Sequence, residues 1–353
     1  MSQSHSGRSL LARRALLSLV LVLVVACSGR APALVAEVRS ASEDPAVEFA
    51  RIDAHALSTP AAVEGSVVTL AEYLAREARS EREKARAIYR WITANVEYDV
   101  QSFFSGSGRW QSGDDVLRSR LAICDGYATL FAALAAEMDL RAVMVRGYAK
   151  GYGYDGRRFR GPNHVWNAVE VDGRWELLDA TWGAGTMGAR SWERDFQEHF
   201  FLTPPRAMIY THLPQQRRWQ LLSSPRSMRA FRRQPEVPPH LFSLGFSGPQ
   251  IEEALRRGVR EMPAAYRHPE REIRIEAAPV ARTLPAGEEM SIRVRIPEAA
   301  GVFLTDGVRW HSLDNGVEPG LWKKSVSLER GRWMVYAEFP GGDDLVFLEY
   351  EVM

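Results

Sequence analysis

Residues 163–182 read NHVWNAVEVDGRWELLDATW. Two runs rich in β-branched and aromatic residues flank Asp172-Gly173, a dipeptide that favours the tight turn of a β-hairpin. Taken as a two-residue turn, it pairs Val171 with Arg174, Trp166 with Asp179 and His164 with Thr181. His164 and Asp179 then share one face as diagonal neighbours, about 7–8 Å apart at the backbone and within side-chain reach. A slip of one residue would move them to mismatched faces. A carboxylate that orients an imidazole is the supporting half of a nucleophilic site.

The other half lies upstream. Cys124, Tyr127, Leu130, Phe131, Leu134 and Met138 recur at helical spacing, which predicts a buried helix beginning at or near Cys124. The free N–H groups and positive dipole end of a helix stabilise a thiolate, the nucleophilic form of cysteine. Gly126 is expected to leave room for a substrate. Taken singly, a buried cysteine is as readily a small hydrophobe, a histidine a satisfied core or surface residue, and an aspartate a strand-end cap. Together the three read as nucleophile, base and orienting group.

The chain has two cysteines. Cys27 follows Arg8, Arg13 and Arg14 and an apolar run over residues 15–26, the pattern of a secretory signal. The run falls short of the roughly 20 apolar residues a membrane span needs. Val24-Val25-Ala26-Cys27 resembles a bacterial lipobox. Residues 1–27 are therefore expected to be a lipoprotein signal peptide, with Cys27 lipidated. The localisation that follows is the bacterial cell envelope, anchored to membrane by lipid and facing periplasm or exterior. That compartment favours disulfides, but a lipidated Cys27 cannot supply one, which leaves Cys124 as an unpaired thiol.

The 353 residues are 46% hydrophobic and 25% charged, with a formal net charge of +1. Two domains fit this length, and the near-neutral balance gives no electrostatic reason to expect nucleic acid. Residues 28–65, rich in Ala, Ser, Glu and Pro, read as a tether in which a short helix is allowed. The catalytic domain is assigned to 66–233. It opens with two capping boxes, Thr69 with Glu72 and Ser80 with Glu83, the second leading a helix over 81–96. A glycine-bearing loop is expected from Phe103 to Asp115. Gln234-Pro235-Glu236-Val237-Pro238-Pro239 reads as a stiff linker. A short helix near 249–257 and a series of alternating strands follow, so 234–353 is expected to be a small sandwich-like β domain of immunoglobulin-like type.

No histidine stands at a metal-ligand spacing such as His-Glu-x-x-His, so neither a metal nor another cofactor is expected. His199 and His212 fall in apolar-aromatic surroundings and read as structural. Gly151, Gly153 and Gly156 do not join a strand to a helix, so a phosphate loop is not expected; the segment reads as a loop lining the cleft.

The stretch from Glu83 to Gly185 resembles the transglutaminase-like superfamily, a papain-like thiol fold. The resemblance rests on Cys124-Asp125-Gly126-Tyr127, Asn163-His164-Val165-Trp166-Asn167 and Leu178-Asp179-Ala180-Thr181-Trp182. Phe200-Phe201-Leu202-Thr203-Pro204, His212-Leu213-Pro214 and Trp219-Gln220-Leu221-Leu222 are similar to the kyphoscoliosis peptidase-like branch. It implies an α+β fold in which a nucleophile helix packs on an antiparallel sheet, with Cys124 as nucleophile, His164 as base and acid, and Asp179 as orienting residue. The Cys124 N–H is an expected oxyanion donor, with Gln101, Trp110 or Gln111 as a candidate second.

The implied chemistry is acyl transfer from an amide through a thioester. Water as acceptor makes a peptidase, acting on protein or on peptidoglycan stem peptides; an amine makes a cross-linking transglutaminase. The alternative from another class is a non-catalytic scaffold that binds an envelope ligand.

Overall fold

The structure, a computed structural model, describes residues 45–353 apart from Arg157. Cys27 and positions 28–44 of the expected tether lie outside the described residues.

Where a tether was expected to run to residue 65, the chain forms helix α1, Pro45–Leu57. Phe49, Ile52 and Ala56 fall on one helical face and are buried, so this segment belongs to the core. Helix α2 spans Val67–Ala75 and α3 spans Glu81–Asn95. The N-cap of α2 is Ser66, whose hydroxyl accepts from the Thr69 N–H; the helix starts earlier than the expected Thr69 cap because Val67 and Leu70 already belong to its buried face. Ser80 caps α3 as expected, but the Glu83 carboxylate accepts from the Arg79 N–H and Arg51 rather than from Ser80. Arg86 on α3, 1% exposed, is held by both oxygens of Asp53 from α1 (2.7 and 2.8 Å) and both of Glu198 (2.6 and 2.8 Å).

The expected loop is only partly a loop. Helix α4 occupies Val100–Ser105, and α5 occupies Gly113–Ser119 behind a capping box of Ser112 and Asp115. Such short helices do not repeat an apolar period; their caps hold them. Helix α6, Cys124–Glu137, buries Tyr127, Leu130, Phe131 and Leu134 as its spacing requires.

Helix α6 packs on an antiparallel sheet of β1 (Ala142–Ala149), β2 (His164–Val171), β3 (Arg174–Leu178) and β4 (His212–Pro214), in the order β3-β2-β1-β4. Val171 pairs with Arg174 and Asn167 with Leu178, the expected register. Asp172 (φ 51°) and Gly173 (φ 72°) are both left-handed, as a type I′ turn demands. The ladder stops at Leu178 because α7, Ala180–Ala184, begins there with Asp179 as its N-cap. The pairs Trp166 with Asp179 and His164 with Thr181 are therefore not formed as strand pairs.

After two short helices, Pro239–Ser243 and Gly248–Arg256, the second where the spacing expects it, the C-terminal region is all-β. One sheet joins Arg274–Ala277, Glu289–Arg295, Leu321–Ser327 and Asp314–Asn315; the other joins Thr283–Leu284, Leu345–Val352, Gly331–Glu338, Gly301–Thr305 and Trp310–Ser312, with Ala264–Ala265 beside Leu345–Val352. Ile292 and Val294 from one sheet and Val302, Leu304, Trp333 and Val335 from the other share a core. All contacts are antiparallel except Thr283–Leu284 against Leu345–Val352. Ile209, Tyr210, Leu213 and Phe231 join this same core, and Val237 of the proline-rich stretch is 2% exposed, so the junction is packed. Among the described residues no helix is long and apolar enough to cross a membrane.

Candidate active site

Cys124 is the first residue of α6; its N-cap, Ile123, supplies no side-chain hydrogen bond. The N–H groups of Cys124 and Asp125 open the helix ahead of its first backbone bond, which Gly126 makes to the Ile123 carbonyl, so the positive end of the helix dipole lies at the sulfur. The thiol is unpaired and 8% exposed. Gly126 has a different role from the one expected. A Cβ there would lie 2.7 Å from Ala122 Cβ, 3.0 Å from Gln111 Oε1 and 3.2 Å from Val116 Cγ2, so its small size lets the helix start pack closely rather than making room for substrate. Gln111 donates to the Leu121 carbonyl at 3.0 Å and to Ser119 Oγ at 3.3 Å, which commits its amide to holding the strand before Cys124.

His164 opens β2 with its ring near Trp166 and Trp182, at centroid separations of 6.0 and 5.6 Å. Its Nε2 lies 2.6 Å from Asp179 Oδ2. Cys124 lies close enough to act on the same ring; with Nε2 engaged by Asp179, Nδ1 is the nitrogen left to serve the sulfur. Burial alone would lower its pKa, but the charge and hydrogen bond of Asp179, with the Cys124 contact, outweigh burial and push it up to about 10. At neutral pH it is an imidazolium that donates from both nitrogens.

Asp179 is fully buried and caps α7. Its Oδ1 accepts from the backbone N–H groups of Thr181 (2.8 Å) and Trp182 (3.1 Å). Burial opposes its charge, yet His164 and a second histidine hold the carboxyl well below the usual range. The same carboxylate thus caps a helix and holds the His164 ring.

The second histidine is His212, which sequence reasoning assigned to structure. Its Nε2 is 3.0 Å from Asp179 Oδ2 and its Nδ1 is 2.8 Å from Thr211 Oγ1. Burial pushes its pKa down to about 4 against the pull of Asp179, so it is neutral at pH 7. It donates from Nε2 to Asp179 and accepts at Nδ1 from the Thr211 hydroxyl. Spacing along the chain does not mark this residue; only the pairing of β4 with β1 brings it to Asp179. His199 is stacked on Phe242 and does not join the site.

The ligand atoms of His164, Asp179 and His212 all lie within 4.8 Å of one another, a side-chain set able to hold a metal. Here both Nε2 atoms address one oxygen at hydrogen-bond distance, and the other oxygen caps a helix. That is the geometry of a hydrogen-bonded chain rather than of a coordination shell.

Tyr98, close enough to Cys124 to feel it, belongs to an aromatic cluster in which its ring adjoins Phe103 and Phe104 meets Tyr152 edge-on. Phe103, Phe104 and Tyr152 are exposed. Gly151 approaches Trp182 so closely that a Cβ would lie 2.7 Å from its ring.

Residues 68–180 match the model of the Transglutaminase-like superfamily, a range that includes Cys124, His164 and Asp179. The chain is 35% identical to kyphoscoliosis peptidase of Mus musculus over 215 residues, 60% of this chain and 32% of that protein. It is 32% identical to Hillarin of Drosophila melanogaster over 217 residues, 57% of this chain and 26% of that one. The chain thus spans about a third or less of the length of these curated relatives. Red sea bream transglutaminase aligns over 85% of this chain and 57% of its own at a TM-score of 0.28 and 11% identity, a likeness too slight to bear on the reaction.

Proposed function

We propose that this protein is a thiol acyl-transfer enzyme that cleaves amide bonds, acting as a peptidase on protein or peptidoglycan stem peptides. The observation that carries this reading is the gathering of Cys124, on a helix start, with His164 and Asp179, the last two hydrogen-bonded at 2.6 Å. In this reading the imidazolium of His164 is the partner that readies the Cys124 sulfur as nucleophile. The sulfur attacks the amide carbonyl, and the Cys124 N–H faces the oxygen on which charge develops. His164 then gives its proton to the departing amine, leaving a thioester. Neutral His164 next takes a proton from water, whose oxygen attacks the thioester carbonyl; the acid leaves and the couple is restored. Asp179 keeps the ring oriented and balances its charge throughout.

Incubation with unfolded protein and with purified peptidoglycan, followed by mass spectrometry, tests this reading against Cys124→Ala. New free carboxyl ends that need Cys124 support a peptidase. A fluorescent primary amine incorporated in place of water would instead make the protein a cross-linker. If neither product forms, and the thiol reacts with iodoacetamide no faster than in His164→Ala, a binding scaffold replaces the enzyme.

Location in the cell envelope through a lipid on Cys27 belongs to the same proposal, supported by the arginines and apolar run that precede it. Cys27→Ala should move the protein from the membrane to the soluble fraction; a variant that still sediments with membranes would reject the anchor.

A further inference from the structure

A cavity of about 660 Å³ is lined by Gly156 and Arg158 from the loop between β1 and β2, and by Arg229, Arg232 and Arg233 from the helix Met228–Arg233. Among the described residues none of these four guanidinium groups has an ion-pair partner, and Arg232 Nε is buried without an acceptor. Nearby arginines are treated otherwise: Arg206 and Arg226 both pair with Glu252, and Arg267 pairs with Asp195.

The arrangement works against the fold. Arg229 stands three and four residues before Arg232 and Arg233, a spacing at which like charges on a helix repel. Two arginines in the last turn are favoured by the helix dipole, but that accounts for neither Arg229 nor Arg158. The walls are also held in place. Phe159 stacks on Tyr154 and on Phe231, at 5.0 and 6.0 Å. Lys150 lies over the Phe231 ring and bonds the Gln234 carbonyl at 3.2 Å. Loop and helix therefore present their guanidinium groups to a shared space through packing, not through mutual attraction.

We propose that this cavity binds a multivalent oxyanion, a ligand with two or more adjacent phosphoryl or carboxylate groups. Guanidinium forks pair bidentately with both kinds of group, and four positive charges need more than one negative charge to balance them. The volume exceeds that of a single phosphate. Among the described residues no nucleophile or acid lines the cavity, so its chemistry is binding. Because Gly151 and Tyr152 of the same loop pack on Trp182 and Phe104, an anion held by Arg158 would also restrain a border of the active site.

Isothermal titration of the intact protein with sodium tripolyphosphate and, separately, with citrate tests this, with acetate as the monovalent control. Saturable binding of one equivalent is expected for at least one of the two polyanions and not for acetate. The double variant Arg229→Gln, Arg233→Gln, altered at exposed positions, should bind at least about tenfold more weakly through loss of charge-assisted hydrogen bonds. Preference for tripolyphosphate assigns phosphoryl groups, and preference for citrate assigns carboxylates. Cys124→Ala should bind as the unaltered protein does, which separates this result from the catalytic reading. Failure of both polyanions to saturate, or equal binding by the double variant, would overturn the proposal.

Discussion

His164 and His212 meet on one oxygen: their Nε2 atoms lie 2.6 and 3.0 Å from Asp179 Oδ2. The two rings are driven in opposite directions, His164 up to about 10 and His212 down to about 4. Groups whose surroundings push their pKa values apart divide the roles of a site between them. In the proposed reaction His164 carries the proton that moves; His212 stays neutral and steadies the carboxylate.

His212→Phe keeps a ring beside Trp182, now 4.5 Å from the imidazole, but removes the donor to Asp179. Catalysis should fall about 10- to 100-fold, the usual effect of losing an outer partner of a catalytic group. The His212 hydrogen bond helps hold the Asp179 carboxyl low, so without it the acid limb of the kcat/KM profile should move to higher pH. A profile superimposable on that of the unaltered protein would reduce His212 to packing.

Asp179→Asn preserves an oxygen that can cap Thr181 and Trp182, but it turns an amide N–H₂ toward two ring nitrogens that already donate. Activity should drop by about 10³- to 10⁴-fold, through loss of the oriented, charge-balanced imidazolium. Thermal stability should drop as well, because the new donors are buried without acceptors. Steady-state kinetics and a melting curve read the two effects separately.

The raised pKa of His164 sets a direction for stability against pH. The folded state keeps a proton that the unfolded chain releases above its ordinary value of 6.5, so the stabilisation is complete below pH 6.5 and is lost as pH rises toward about 10. Between pH 6.5 and 8 the protein should lose about 2 kcal/mol relative to His164→Gln, a comparison in which Lys150, lowered to about 8 by burial, titrates alike in both proteins. Urea unfolding across this window checks the difference; parallel pH dependences would reject the charged histidine.

Removal of residues before 66 deletes α1, exposing the surface that Phe49, Ile52 and Ala56 cover and leaving Arg86 without Asp53. Breaking a buried ion pair by removing one partner costs about 3–5 kcal/mol. A chain beginning at residue 66 should therefore unfold at markedly lower urea than one beginning at 44, and Arg86→Met should recover part of the loss.

Gly126→Ala should destabilise by about 1–3 kcal/mol, the range for an added methyl in a packed interior, since the new Cβ meets Ala122, Gln111 and Val116. Its urea midpoint should fall with no change in KM; a raised KM with unchanged stability would return Gly126 to the substrate path.

The hairpin was readable because its information is local: Asp172-Gly173 prescribes a left-handed pair, and alternation sets the register from there. The start of α6 was readable for the same reason, its apolar face repeating from Tyr127 onward. Helices α4 and α5 escaped because they are too short to show a period, and α1 because three apolar positions in an alanine-rich segment look like tether until something packs on them.

By itself the amino-acid sequence determined the register of the hairpin, the helix that starts at Cys124, the alternating strands of the C-terminal region, and hence which residues were candidates for the site. Tertiary structure alone decided that His212 reaches Asp179, that Arg86 is clasped by Asp53 and Glu198, and that Arg158 faces a helix some 70 residues further along the chain. The physical reason is range. Turn geometry and side-chain periodicity act over a few residues and leave a mark in every window, whereas buried charge and shared hydrogen bonds take their strength from partners that only packing brings within 3 Å or so.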